Sequence, residues 1–260
     1  MNITYQYSRP GYHTGYIDGI DKLSSTLYMI RIRLINDRIY SLPPQFVMIW
    51  VPGYEAIPMS IAEQSGDGSR INIIVKPVGE TTRALVQMDN EYIGLIGPLG
   101  TPLTPRTDKI LLIAGGSGIA PLIRYAQYYA SLGKKLTLVL GAWSYREIGE
   151  TLRLTKKYVD KVITACMDKC EAHGLVTDVL SKGYVDENEY DYVIAAGPEA
   201  MLKNLAKLIK RPNKTIFIME RHVKCGLGLC GSCIIRGTSK LLCYHGPGFL
   251  LSEVEKVIRN

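Results

Sequence analysis

Residues 109–121 read Lys-Ile-Leu-Leu-Ile-Ala-Gly-Gly-Ser-Gly-Ile-Ala-Pro, and this stretch decides the fold. Its apolar half, 109–114, is typical of a buried strand, and the residues after the glycines predict a helix over 120–132. Between them, the run Gly115-Gly116-Ser117-Gly118 allows a tight turn in which backbone N–H groups approach a pyrophosphate. Pro121 suits the first turn of the following helix. The stretch therefore predicts a phosphate-binding loop, although it is not a G-x-G-x-x-G fingerprint.

The same alternation of apolar strand and amphipathic helix continues along the chain to residue 219. Further strands are predicted at 136–141, 161–165, 190–196 and 215–219, and further helices at 147–157, 175–181 and 199–209. Such repeats predict a doubly wound parallel sheet with right-handed crossovers, whose ligands bind at the carboxyl ends of the strands. The run Gly197-Pro198-Glu199-Ala200-Met201 follows a later strand and opens another helix at this same edge.

Before residue 106 the hydrophobic pattern is different: short β-type runs are separated by turn residues. Strands are predicted at 28–34, 45–51, 70–76 and 91–96. No helical period connects them, so this part of the chain predicts an antiparallel barrel or sandwich. By themselves, residues 57–61 are interpreted as a strand end and residues 78–85 as a loop.

The last forty residues contain Cys225-Gly-Leu-Gly-Leu-Cys230-Gly-Ser-Cys233, followed by Cys243. The first three cysteines have the C-x4-C-x2-C spacing of plant-type [2Fe–2S] ligands, and the glycines let the loop curl around a cluster. Zinc is the alternative, although structural zinc sites usually pair their cysteines across a longer gap. This segment shows little periodicity, so we expect an inorganic centre to organise it. An ordinary structural or surface role is expected for Cys166 and Cys170.

Composition limits the function further. The 260 residues are 47% hydrophobic and 21% charged, which is typical of a globular protein. The net charge of +7 comes from scattered basic residues, which favours a solvated surface over a nucleic-acid site, with a basic zinc module that binds nucleic acid as the open alternative. No apolar run approaches the ~20 residues of a membrane span, and residues 1–7 lack a signal-peptide pattern. We therefore expect a cytoplasmic protein without a membrane partner.

In this order, the motifs resemble the electron transfer subunits of dihydroorotate dehydrogenase, a family within the ferredoxin–NADP reductase superfamily. The resemblance covers nearly the whole chain and implies a β plus α/β architecture in three domains. Residues 1–105 would be an antiparallel β-barrel that binds FAD, and residues 106–213 a doubly wound parallel-sheet domain for a pyridine nucleotide. Residues 214–260 would form a small C-terminal [2Fe–2S] loop domain.

The resemblance also implies a set of cofactor residues. Flavin contacts would come from Ile57-Pro58-Met59-Ser60, where the family has Arg at the first position, and from Ile74, Val75 and Lys76. The FAD diphosphate would lie at Gly79-Glu80-Thr81-Thr82, where Thr81 replaces a usual Gly. NAD contacts would come from Gly115, Gly116, Ser117 and Gly118, and from Gly197 and Pro198. The cluster ligands would be Cys225, Cys230, Cys233 and Cys243.

The implied activity is a relay in pyrimidine biosynthesis. An FMN on a separate catalytic subunit would oxidise dihydroorotate, and electrons would pass through [2Fe–2S] and FAD to NAD⁺, with two chains of each kind in a heterotetramer. The alternative is a subunit of an NAD(P)H–ferredoxin oxidoreductase or a soluble hydrogenase, some of which replace one ligand by Asp. No residue is assigned a catalytic role. Arg146 and Glu147 either contact the nucleotide ribose or form a solvated helix start.

Overall fold

The computed structural model describes residues 10–259, so the expectation about residues 1–7 lies outside the described residues. The first part of the chain forms a closed barrel of six antiparallel strands in the order β1-β2-β5-β4-β3-β6. The strands are β1 Gly11–Lys22, β2 Tyr28–Leu34, β3 Phe46–Trp50, β4 Ile57–Gln64, β5 Arg70–Val75 and β6 Tyr92–Leu99. This confirms the predicted barrel.

The barrel contains strand β1, which the sequence patterns did not single out, and strand β4, of which they indicated only residues 57–61 as a strand end. Strand β1 includes several glycines, which have low strand propensity, and its alternation is therefore weak. The structure shows why one of them is needed, because a Cβ at Gly15 would lie 2.6 Å from Cδ1 of Leu95 inside the barrel. The loop predicted at 78–85 was wrong for most of its length. A short helix, α1 (Glu80–Leu85), begins there, and Thr82 Oγ1 accepts a hydrogen bond from the Gly79 N–H at its start.

The second sheet has seven strands in the order β10-β9-β8-β7-β11-β12-β13, parallel except for β13, which pairs antiparallel with β12. They are β7 Lys109–Gly115, β8 Lys135–Gly141, β9 Lys161–Cys166, β10 Ala172–His173, β11 Tyr192–Ala196, β12 Thr215–Ile218 and β13 Gly248–Leu250. Its helices are α2 Ile119–Ser131, α3 Tyr145–Ile148, α4 Thr151–Thr155, α5 Val176–Ser181, α6 Glu199–Leu208, α7 Leu242–His245 and α8 Leu251–Ile258. The predicted doubly wound parallel sheet is confirmed.

Two local predictions about this half were wrong. The single helix predicted at 147–157 is two short helices, α3 and α4, separated at Gly149. At that position φ is +44° and a Cβ would lie 2.6 Å from the Leu23 carbonyl oxygen of the barrel, so the chain bends to pass it. The segment at 248–258 is also regular. Strand β13 and helix α8 pack against the sheet, with Leu251, Val254 and Ile258 in the core.

Strands β12 and β13 follow residue 213, so the predicted third domain contributes two strands to the sheet of the second. None of the helices in residues 10–259 combines the length and the apolar character that a bilayer-spanning segment needs.

Buried polar contacts hold the barrel against helix α2. The side chain of Gln127 exchanges two hydrogen bonds with the backbone of Gln64, at 3.1 and 2.9 Å. The buried guanidinium of Arg124 donates to the Ser41 carbonyl at 2.5 Å. Because buried polar groups are costly to leave unpaired, these bonds fix the orientation of the sheet relative to the barrel.

Candidate cofactor sites

A cavity of about 400 Å³ lies where the barrel, the parallel sheet and the C-terminal segment meet. The barrel contributes residues of β4 and β5, α1 contributes Thr82, and the glycine loop contributes its serine. The sequence-predicted residues on this cavity are Pro58, Met59, Ser60, Ile74, Lys76, Thr82 and Ser117. Residues from the predicted flavin segment and from the predicted nucleotide loop therefore line the same cavity.

Several predicted flavin residues lie elsewhere. Val75 is fully buried in the barrel core, and Ile57 packs against that core. The buried hydroxyl of Thr81 donates to the Glu55 carbonyl at 3.0 Å. Gly79 is exposed at the start of α1, where its N–H is bonded to Thr82.

The glycines of the nucleotide loop divide into two groups. Gly115, Gly118 and Gly197 are buried, and a Cβ on any of them would come within 2.5 Å of another part of the protein. Gly115 and Gly197 both pack against the side chain of Met201, so the two predicted nucleotide contacts are adjacent. Pro198, which follows Gly197, is exposed. Gly116 is different, because its φ is +53° and a Cβ there would meet nothing within 4 Å. It is therefore the glycine whose backbone is open to a ligand.

The segment after β12 also lines the cavity, and sequence reasoning missed it. Its contributors are Met219, Glu220, Arg221 and Val223. Arg221 donates to Glu199 at 3.0 Å and so ties this segment to the start of α6, where the second nucleotide contact is predicted. Burial raises the pKa of Glu220. A signal was present, because polar residues that directly follow an apolar parallel strand lie at the ligand-binding edge of the sheet.

The cluster loop follows this segment and is lined by backbone donors. The N–H of Leu227 donates to Cys225 Sγ at 3.4 Å, and that of Gly228 donates to Cys243 Sγ at 3.3 Å. Gly226, Gly228 and Gly231 all have φ between +71° and +77°, the left-handed conformation that glycine adopts most readily. N–H donors aimed at sulfur stabilise its anionic form, which is the form that binds metal.

The thiols differ in how readily they ionise. The hydroxyl and the backbone N–H of Ser232 lower the pKa of Cys230 to about 6. Burial, and then the neighbouring Cys233, raise the pKa of Cys243 to about 12. Cys230 is therefore a thiolate at neutral pH, whereas Cys243 needs a cation beside it to lose its proton.

The four thiols are arranged in pairs. Cys233 and Cys243 have their sulfurs 3.2 Å apart, and the Cys230 thiol is hydrogen-bonded to Cys225. A single zinc ion, with bonds of about 2.3 Å, holds its thiolates roughly 4 Å from one another. Across residues 10–259, no three of these cysteines bring their sulfurs within 4.8 Å of one another. The donor set fits two irons with two thiolates each better than one zinc.

Cys166 and Cys170 lie outside this loop and form a disulfide after β9. An ordinary structural or surface role was expected for both cysteines, and this bond was not predicted. The carboxylate of Asp168, between them, accepts a hydrogen bond from the Tyr145 N–H at 2.8 Å and so links this loop to α3.

The cluster loop and the cavity share a wall. Val223 and Leu242 line the cavity. Val223 is two residues before Cys225, and Leu242 directly precedes Cys243. On its other side the loop rests on the barrel, where a Cβ at Gly226 would lie 2.8 Å from Leu99. The segments that carry Cys225 and Cys243 therefore begin at the wall of the cavity.

Comparison with known proteins agrees with this geometry. The iron-sulfur cluster binding domain of dihydroorotate dehydrogenase B matches residues 220–255, and an oxidoreductase NAD-binding domain matches residues 112–207. Among solved structures, an NADH-dependent reduced ferredoxin-NADP oxidoreductase has a TM-score of 0.79 at 24% identity, covering 94% of this chain and 92% of its own. Phthalate dioxygenase reductase has a TM-score of 0.65 at 16% identity, covering 80% and 67%. These two share the fold.

Two curated relatives are closer in sequence. One from Archaeoglobus fulgidus is 33% identical over 238 residues, which cover 90% of this chain and 94% of the relative. One from Thermococcus kodakarensis is 36% identical over 225 residues, which cover 86% and 89%. Both are named as the electron transfer subunit of dihydroorotate dehydrogenase B (NAD(+)). The chain belongs to the family of dihydroorotate dehydrogenase B electron transfer subunits.

Proposed function

We propose that this chain carries electrons from the FMN of a catalytic subunit, which oxidises dihydroorotate in pyrimidine biosynthesis, through a [2Fe–2S] cluster and FAD to NAD⁺. The observation that carries the proposal is the wall that the cluster loop shares with the cavity, through Val223 and Leu242. When bound, a flavin exchanges electrons singly or in pairs, and so connects a one-electron cluster with a two-electron hydride carrier.

The residues present fit these cofactors. The cavity has apolar walls from Met59, Ile74 and Pro121, which suit a planar ring system, and cationic groups from Lys76 and Arg221, which suit a diphosphate. The paired thiols, with a backbone N–H donor on each of the four sulfurs, suit a two-iron cluster. The chain's own contribution is to hold the cofactors close together in an apolar setting and to tune their charge.

Electrons must enter the cluster from outside this chain, and the outer face of the loop has the character of a docking surface. Its apolar side chains are exposed: Leu227, Leu229, Ile234 and Tyr244. Residues 221–249 contain four lysines and arginines and no acidic residue. Exposed apolar groups beside positive charge suit a protein partner whose contact face is apolar and acidic at its rim. We assign this face to the catalytic subunit, in a heterotetramer with two chains of each kind.

The first test is the content of the purified chain. Anaerobically prepared protein should contain two irons and two sulfides per chain together with FAD, and should show a paramagnetic signal after reduction. Cys230→Ser should remove the iron and the signal, whereas Cys170→Ser, the matched control in the disulfide, should leave both. Zinc in place of iron, or a signal that survives Cys230→Ser, would overturn the proposal.

The second test asks which reactions the chain catalyses alone and which require the catalytic subunit. The chain alone should oxidise NADH with an artificial electron acceptor, and should oxidise dihydroorotate only after its catalytic subunit is added. Light scattering should give the mass of two chains of each kind for the complex. Oxidation of dihydroorotate by the chain alone would contradict the assignment as an electron transfer subunit.

A further inference from the structure

A cavity of about 520 Å³ lies at the amino-terminal edge of the parallel sheet, opposite the edge that carries the glycine loop. Among its lining residues, Asp108 directly precedes β7, Lys134 precedes β8 and Lys214 precedes β12. At about 3.3 Å per residue, the seven residues of β7 place this cavity roughly 20 Å from the glycine loop. It is therefore separate from the proposed cofactor sites.

One wall of this cavity, residues 104–108, is held in place by hydrogen bonds. The buried side chain of Tyr129, on α2, donates its hydroxyl hydrogen to the Pro105 carbonyl at 2.7 Å. The Thr107 hydroxyl donates to the Asp191 carboxylate at 3.1 Å. Because the wall is already ordered, a ligand that binds there does not have to immobilise it.

Three cationic and two anionic side chains line the cavity, and both carboxylates already have partners. Asp191 accepts from two backbone N–H groups at the beginning of β7, at 3.0 and 2.9 Å. Asp108 pairs with Lys134 at 2.6 Å. The other two cations, Arg106 and Lys214, form no ion pair with any carboxylate of residues 10–259. Their charge is therefore available to an anionic ligand.

Two half-buried tyrosines give the cavity an aromatic surface. The Lys214 ammonium lies 4.7 Å from the ring centroid of Tyr192, which is a cation–π contact. The ring of Tyr128 packs edge-on against Tyr129, with 5.0 Å between the centroids. Aromatic rings beside unpaired cations suit a ligand that carries both a planar ring and a negative charge.

We propose that this cavity binds a phosphorylated aromatic compound of the size of a nucleoside monophosphate. Arg106 and Lys214 hold the phosphate, and the base packs against Tyr192. Arginine and lysine are the side chains that bind phosphate in proteins, and the volume lies within the range of small-molecule sites. The site is independent of the proposed relay, because none of the described residues that line it belongs to the predicted cofactor contacts.

The first experiment separates a nucleotide site from an ordinary basic surface. Chain loaded with FAD and cluster is titrated calorimetrically with uridine monophosphate and with adenosine monophosphate, with and without saturating NAD⁺. Ribose 5-phosphate and inorganic phosphate are titrated in parallel. At least one nucleotide should bind with a dissociation constant below about 1 mM whether or not NAD⁺ is present. The two compounds without a base should bind about tenfold or more weakly, as expected for lost stacking.

Charge variants then locate the site. Arg106→Gln and Lys214→Gln should each weaken nucleotide binding by about tenfold, the effect of one charge-assisted hydrogen bond. Lys210→Gln, at an exposed lysine outside the cavity, is the matched control and should leave binding unchanged. Circular dichroism checks that each variant is folded, and NADH oxidation with an artificial acceptor should be the same in all of them.

Three results would overturn the proposal. They are the absence of nucleotide binding, inorganic phosphate binding as tightly as the nucleotides, and nucleotide binding that NAD⁺ abolishes while Arg106→Gln and Lys214→Gln retain it. The last result would place the ligand at the glycine loop. Each of them would leave the proposed relay intact, since the relay is tested by the cofactor content and by NADH oxidation.

Discussion

The contact between the cluster loop and the barrel can be tested with a matched pair of glycines. Gly226 and Gly231 lie in the same loop and have nearly the same backbone conformation, with φ of +71° and +74°. A Cβ at Gly226 would lie 2.8 Å from Leu99 and 2.9 Å from Met48, whereas a Cβ at Gly231 would meet nothing within 4 Å. Gly226→Ala and Gly231→Ala therefore share the conformational cost and differ only in the contact with the barrel.

The expected cost follows from these distances. An alanine in the left-handed conformation costs about 1–2 kcal/mol in either variant. Gly226→Ala must also displace two buried side chains, and overpacking of this kind costs about 1–3 kcal/mol more. At about 2–4 °C per kcal/mol for a chain of this size, Gly226→Ala should release its cluster roughly 5 °C below Gly231→Ala.

The assay is a thermal scan of the reduced and of the oxidised holoprotein. Visible absorption monitors loss of the cluster during the scan, and circular dichroism monitors unfolding. Gly231→Ala serves as the control for backbone strain. If both variants lose the cluster at the same temperature, the barrel contact does not hold the loop, and the short path from cluster to cavity loses its structural basis.

Three further predictions concern stability and assembly. Burial raises the pKa of three tyrosines above the usual value of about 10: Tyr125, Tyr129 and Tyr158. Above pH 10 the unfolded chain therefore loses three protons that the folded chain keeps, and the free energy of unfolding should fall by about 4 kcal/mol per pH unit. Urea unfolding at pH 9 to 11 checks this, and Tyr158→Phe should remove about a third of the slope; an equal slope would refute it. Arg124→Met should lower the free energy of unfolding by about 1–3 kcal/mol, because the buried Ser41 carbonyl loses a donor; unchanged urea unfolding would contradict this. Leu229→Asp, at a side chain that is 82% exposed, should leave the cluster spectrum intact and weaken binding of the catalytic subunit by about tenfold or more in calorimetry. Equal binding would move the interface elsewhere.

The parallel sheet could be predicted from the sequence because its strands are short continuous apolar runs. Strand β7 was predicted at 109–114 and observed as Lys109–Gly115. Such a strand is buried on both faces, so its sequence alone reports its environment. Barrel strand β1 is different, because its sequence contains glycines and charged residues. The need for Gly15 is explained only by the packing of Leu95, on β6, against it. A contact between residues eighty positions apart leaves no local pattern.

The candidate site, like the fold, was predictable only where the requirement is local. The cysteine spacing reports such a requirement, the curl of one loop around a small cluster, and therefore stands out in the sequence. The residues of the cavity wall have no such pattern in the sequence. Val223 and Leu242 are ordinary apolar residues, and only the fold brings both of them to the cavity. The same holds for the glycine loop, where the motif marks Gly115, Gly116 and Gly118 alike, and the structure shows that of these three only Gly116 has open space where a Cβ would lie.

The arrangement of the proposed relay follows from the place of β12 in the sheet. Parallel strands deliver the residues that follow them to one edge, and the predicted nucleotide loop after β7 and the segment after β12 both lie there. Because β12 ends at Ile218 and the first cluster cysteine is Cys225, the chain has only six residues in which to leave the cavity and begin the cluster loop. That length cannot carry the cluster far from the cavity. Inserting residues between Val223 and Cys225 should therefore slow the transfer of electrons between the cofactors while leaving the content of each unchanged.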